Sequence, residues 1–121
     1  MIGDNELGES NVDFFIDDEH FEEIVSFIKE NAKKIRVILY AIIQRKYNQV
    51  LYEKVKGEKD ITAFCFRGKN NFRIYCKDYS QGNRRIIILM VLHHKKSYEF
   101  TKKESALIKK LKKYEYELNR Q

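Results

Sequence analysis

The sequence predicts a small α+β domain: a mostly antiparallel sheet packed by helices, in the order β-α-α-β-β-β-α. Three observations carry that prediction. Apolar residues recur at helical spacing from Phe21 to about Leu51, alternate with a period of two after Ile61, and return to helical spacing beyond Thr101. A chain of 121 residues is long enough for one domain and too short for two. Its 43% hydrophobic and 13% aromatic content can build a core, which a disordered chain cannot. Residues 1–11, polar and acidic, are expected to form a flexible tail, and residues 12–121 the single domain.

Val12 to Ile16 reads as a short strand. Asp17 or Asp18 can cap the helix that follows, where Glu19, Glu22 and Glu23 suit the positive end of its dipole. Phe21, Ile24, Val25 and Ile28 fall on one helical stripe. Asn31 to Lys34 separates this helix from a second, whose stripe runs through Ile35, Leu39, Ile42, Ile43, Tyr47 and Val50, giving an antiparallel hairpin. Gly57 to Asp60 is a polar connection. Ile61 to Arg67 is a strand, and Gly68-Lys69-Asn70-Asn71 is turn chemistry. Phe72 to Lys77 alternates, with Arg73, Tyr75 and Lys77 on one face and Phe72, Ile74 and Cys76 on the other. After the turn Ser80-Gln81-Gly82-Asn83, Arg85 to His93 is apolar on both faces and belongs inside the sheet, at least partly covered on both sides. Thr101-Lys102-Lys103-Glu104 is a capping-box pattern that opens the last helix, with Ala106, Leu107, Leu111, Tyr114 and Leu118 as its apolar stripe.

Charge divides the chain. Residues 1–60 hold 9 Lys or Arg against 13 Asp or Glu, and residues 61–121 hold 15 against 5, a net −4 and +10. A basic half attracts polyanions, and nucleic acid is the commonest of them; a solvated lysine face is the plainer alternative. The longest apolar run, Ile86 to Leu92, is far too short for a bilayer, and no apolar stretch lies near Met1. A cytoplasmic location is expected, with Cys65 and Cys76 reduced and no membrane partner. Phosphate-loop, dinucleotide-fingerprint, serine-hydrolase and zincin motifs do not occur, and no cofactor or metal is expected.

Two clusters can carry chemistry. Arg73, Tyr75 and Lys77 stand about 7 Å apart along one strand face and can hold a phosphate chain and stack a base. The competing explanation is an ordinary solvent face. His93-His94-Lys95-Lys96 gathers proton carriers and cations at a strand end, which is what cleaving RNA without a metal requires. Adjacent strand residues point to opposite faces, so at most one of the two histidines enters a site. His20 lacks ligand-type spacing to either cysteine, which weakens a metal centre.

Phe64-Cys65-Phe66-Arg67, Phe72-Arg73-Ile74-Tyr75, the strand Ile86–Leu92, Lys95-Lys96, and then Glu104, Ala106 and Tyr114 follow in order. In that order and spacing the chain resembles the RelE/ParE toxin superfamily, most closely its HigB-type, phage-derived branch, over about residues 12–118. The resemblance implies a RelE-like fold and the toxin of a type II toxin–antitoxin pair. Such a toxin is a metal-free mRNA interferase that acts in the ribosomal A site by 2′-hydroxyl attack. It implies a phosphate-stabilising role for Arg73, Lys95 and Lys96, and Tyr98 or else Tyr75 as the tyrosine of the site; proton transfer by His93 or His94 is read from the chemistry of the histidines themselves. Arg67, Lys69, Tyr75, Lys77, Lys102 and Lys103 are the RNA-binding candidates, and a cognate antitoxin and ribosome-bound mRNA the partners. The chain departs from the family pattern at His93-His94, where an aromatic and a spacer are usual, and it has no proline before the last helix. ParE-like relatives share the fold and act on gyrase by protein contact. Two alternatives therefore stand beside the nuclease: a non-catalytic member of this kind, and a plain RNA-binding domain.

Overall fold

The computed structural model describes residues 11–44, 51–55, 57–66, 71–94 and 102–116. Strand β1 (Val12–Ile16) leads through a 3-10 turn (Asp18–His20) into helices α1 (Phe21–Glu30) and α2 (Ala32–Ile43). Strands β2 (Tyr52–Lys54), β3 (Ile61–Phe66), β4 (Phe72–Gln81) and β5 (Arg84–His94) follow, then helix α3 (Lys102–Lys112). The five strands form one mixed sheet in the order β1-β5-β4-β3-β2. β2 to β5 form an antiparallel meander, and β1 pairs with β5 in parallel. A parallel partner requires a crossover, and α1 and α2 supply it.

Helices cover both faces of the sheet. Ile24, Phe27, Ile35, Ile38, Leu39 and Ile42 of α1 and α2 pack with Phe64, Phe66, Ile74, Cys76, Ile87 and Leu89. On the opposite face, Ile108 and Leu111 of α3 pack with Ile61, Ala63, Cys65, Tyr75, Ile86, Ile88 and Met90. The period of two along β3 and β5 assigns neighbouring residues to different cores, so Ala63 to Phe66 and Ile86 to Leu92 are apolar on both faces. Cys65 and Cys76 therefore lie in different cores as free thiols, and burial raises the Cys76 pKa.

Several boundaries and stripes differ from the expectation. Asp17 caps the 3-10 turn, its side chain accepting from the Glu19 amide at 2.7 Å, while α1 itself starts after His20 with no side-chain cap. The Asn31 side chain donates to the Phe27 carbonyl at 2.9 Å, so the break between the helices is one residue long. Phe27 is buried in α1 while Phe21 is exposed. Helix α2 ends at Ile43, and Tyr47 and Val50 lie outside the described residues. Tyr52–Lys54, assigned to no element from the sequence, forms a strand, with the Tyr52 ring packed edge-on against Phe64 and its backbone paired with β3. The hairpin between β4 and β5 closes on Gly82, whose φ of +64° suits glycine. In α3, Ile108 is buried and Ala106 exposed, so the stripe is Glu104, Leu107, Ile108 and Leu111.

The ladder between β4 and β5 contains a bulge. Tyr75 pairs with Val91 and Cys76 with Leu89, which leaves Met90 as an extra residue in β5. Up to Leu89, odd-numbered residues of β5 face α1 and α2; beyond Met90 the phase inverts, and Val91 packs in the α3 core.

Candidate functional site

Of the site candidates that fall on described residues, Arg73, His93 and His94 lie at the end of the sheet where β3 finishes, β4 starts and β5 finishes. Phe66 pairs with Phe72 and Phe72 with His94, while Cys65 pairs with Arg73 and Arg73 with His93. Arg73 is 2% exposed. Its Nη1 donates to Asn71 Oδ1 at 2.7 Å and to the Phe72 carbonyl at 3.1 Å, and its Nε lies 3.7 Å from Glu53 Oε1. At Nε there is no hydrogen-bond acceptor among the described residues. Asn71 holds its own position at φ +44°, in the left-handed region that asparagine tolerates.

Tyr75 is also 2% exposed, and its hydroxyl donates to Glu104 Oε2 on α3. Burial above all, and that bond second, raise the Tyr75 pKa above the ordinary tyrosine value. His93 Nε2 lies 3.8 Å from the same Glu104 oxygen, with its ring centroid 5.9 Å from that of Tyr75. His94 points to the other face, its ring 4.8 Å from Phe72. At the far end of the covered face, Lys77 Nζ donates to the Tyr114 carbonyl at 2.6 Å.

The open row of Arg73, Tyr75 and Lys77 is therefore closed in the fold. α3 lies across it and takes Tyr75 as a partner, and Tyr114 just after the helix takes Lys77, so no base stacks on Tyr75 while the helix is docked. Arg73, Tyr75 and His93 do come together, and Glu104 joins them as a residue that sequence reasoning left as a cap. Its signal was present: position 104 lies four residues before Ile108 and seven before Leu111, on the buried stripe of a helix otherwise rich in lysine. Lys102 and Lys103 are exposed in the first turn of α3. Arg67, Lys69, Lys95, Lys96 and Tyr98 lie outside the described residues. Their segments are joined in sequence to this same end of the sheet, after Phe66 and after His94.

A second polar cluster sits at the opposite end. The Tyr52 hydroxyl donates to Asp78 Oδ2 at 2.6 Å and lies 2.6 Å from Thr62 Oγ1, and Arg85 makes a two-pronged pair with Asp78 at 2.9 and 2.6 Å. Arg84 pairs with Asp13 across β5 and β1, and Tyr116 donates to Asp17 at 2.6 Å. These bonds tie strand ends and the segment after α3 to the sheet, and every charge in them has a partner. Among the described residues no three His, Cys, Asp or Glu side chains group as metal ligands, and no helix is long and apolar enough to cross a membrane. No family model, curated protein or solved structure matches the chain.

Proposed function

We propose that the chain is a metal-independent endoribonuclease, the toxin of a type II toxin–antitoxin pair, and that it cuts mRNA on the ribosome. The observation that carries this reading is the cross-strand pairing of Arg73 with His93, at a sheet end that runs directly into Lys95 and Lys96. Attack by a 2′-hydroxyl on the adjacent phosphate transfers a proton to a base, concentrates charge on the phosphate oxygens and expels the 5′-oxygen. A histidine of the His93-His94 pair supplies the base, and Arg73, Lys95 and Lys96 the cations. Tyr98 is the tyrosine left for the substrate, since the Tyr75 hydroxyl is taken by Glu104. Arg67, Lys69, Lys102 and Lys103 hold the RNA chain beside this end. A strand and helical hairpin ahead of an antiparallel meander and a final helix follows the RelE-like order expected from the sequence, except that the meander has four strands instead of three. The partner required is a small acidic or DNA-binding antitoxin that covers the basic half in the cytoplasm.

Expression in a host without the antitoxin tests this reading. Wild type is expected to arrest growth, whereas soluble, folded Arg73→Lys and Arg73→Ala are not. Equal arrest by all three forms, or by none, removes Arg73 from the mechanism.

One observation favours a second reading. Arg73 is enclosed by Asn71, the Phe72 carbonyl and Glu53, as a structural arginine would be. A non-catalytic member of the superfamily, degenerate or directed at gyrase, would act through protein contacts instead. Primer extension on translated mRNA separates the two, because cuts in the A site arise only from the nuclease. A plain RNA-binding domain gives salt-sensitive affinity without cuts or an antitoxin.

A further inference from the structure

We infer that Glu104 is a positioning residue for His93, and that His93 is the member of the histidine pair that accepts the proton in the site. The second half rests on the nuclease reading; the first does not. The argument begins with the bulge at Met90. Without that extra residue, His93 would share the phase of Ile87 and Leu89 and face α1 and α2. With it, His93 falls on the α3 face opposite Arg73, and His94 is left against Phe72. Bulges re-aim side chains in this way.

Glu104 then meets His93 from the far side. It is the one acidic residue of α3, 2% exposed, and fixed by the Tyr75 hydroxyl at the same oxygen that lies 3.8 Å from His93 Nε2. The His93 side chain is 25% exposed, so the imidazole is the part of the pair that a substrate reaches. Among the described residues, the charged and titratable groups facing His93 are Glu104 of α3 and Arg73 and Tyr75 of β4, with Glu53 of β2 behind Arg73. A carboxylate 3.8 Å from Nε2 favours the imidazolium that forms when His93 takes up a proton. In the step, the 2′-hydroxyl proton passes to the His93 imidazole and its oxygen bonds to phosphorus. The bond from phosphorus to the 5′-oxygen breaks, and that oxygen takes a proton from water. A 2′,3′-cyclic phosphate remains.

The test uses the full chain and two readouts. Nitrogen-15 NMR of the imidazoles follows the His93 tautomer and titration midpoint in wild type, Glu104→Gln and Glu104→Asp. Cleavage of ribosome-bound mRNA is followed against pH in the same proteins and in His93→Gln. Glutamine keeps an acceptor for Tyr75 and removes the charge. The His93 midpoint is expected to fall by about 0.5 to 1 unit in Glu104→Gln and to recover largely in Glu104→Asp. The acid limb of the cleavage profile is expected to move with it, and His93→Gln to lose about 100-fold or more of the rate. An unchanged His93 tautomer and midpoint in a folded Glu104→Gln overturns the positioning role, whether or not RNA is cut. Cleavage that survives His93→Gln overturns the assignment of His93. A shifted midpoint with no cleavage by any form supports the positioning role and counts against the nuclease reading alone.

Discussion

Tyr75 shows how a single side chain is set by what covers it. The alternation of β4 places it beside Arg73 and Lys77, and its hydroxyl is satisfied by Glu104 under α3. Tyr75→Phe leaves a buried carboxyl with one donor fewer, and a loss of about 1–3 kcal/mol in urea unfolding is expected. The tyrosines also set the alkaline limit of the fold. Burial is the first cause of raised pKa values at Tyr52, Tyr75 and Tyr116, so the folded state holds those protons more tightly than the unfolded chain does. Their contribution is fully present below the unfolded value of 10.0 and is lost as pH rises above it. Urea midpoints are expected to hold steady to about pH 9 and to fall beyond about pH 10, less steeply in Tyr75→Phe. Midpoints that rise through that range contradict the assignment of these tyrosines as buried neutral phenols.

At the scale of elements, α3 is held by few apolar side chains, of which Ile108 and Leu111 are buried. Leu111→Ala is expected to destabilise the fold by about 2–5 kcal/mol, whereas a polar residue at exposed Ala106 changes it by less than about 0.5 kcal/mol. Thermal or urea unfolding of the two variants checks the contrast. The same helix shows what is legible in a sequence. Helical spacing located it, yet assigned Ala106 to the core and passed over Ile108, because a stripe chosen one position away fits the spacing almost as well. The long strands were legible from their period of two. β2 was not, since Tyr52 and Val55 continue the helical apolar spacing as well as they begin a strand. The Met90 bulge leaves no trace in composition, and it alone decides which histidine faces α3. Arg73 and Tyr75 read as an open face because polarity within a strand says nothing about the layer that lies over it.

At the scale of the whole molecule, two helical layers enclose the sheet, and charge is sorted along the chain. Nine of the eighteen acidic residues lie before Phe27, and the last helix carries five exposed lysines, Lys102, Lys103, Lys109, Lys110 and Lys112, with Lys113 just after it. Lys112 is paired with Glu58 at 2.9 Å. If this face holds RNA, log affinity falls linearly with log salt, and replacing Lys109 and Lys110 by Gln shallows the slope by about 1.4. An unchanged slope in a titration of single-stranded RNA removes those lysines from the interface. The central claim is cleavage by the 2′-hydroxyl beside Arg73 and His93, and a defined mRNA on purified ribosomes tests it most directly. The purified protein is expected to cut the A-site codon and leave a 2′,3′-cyclic phosphate, and one 2′-deoxynucleotide at the cut position is expected to abolish that cut. Intact mRNA under these conditions, or cutting that persists at the deoxynucleotide, contradicts the account.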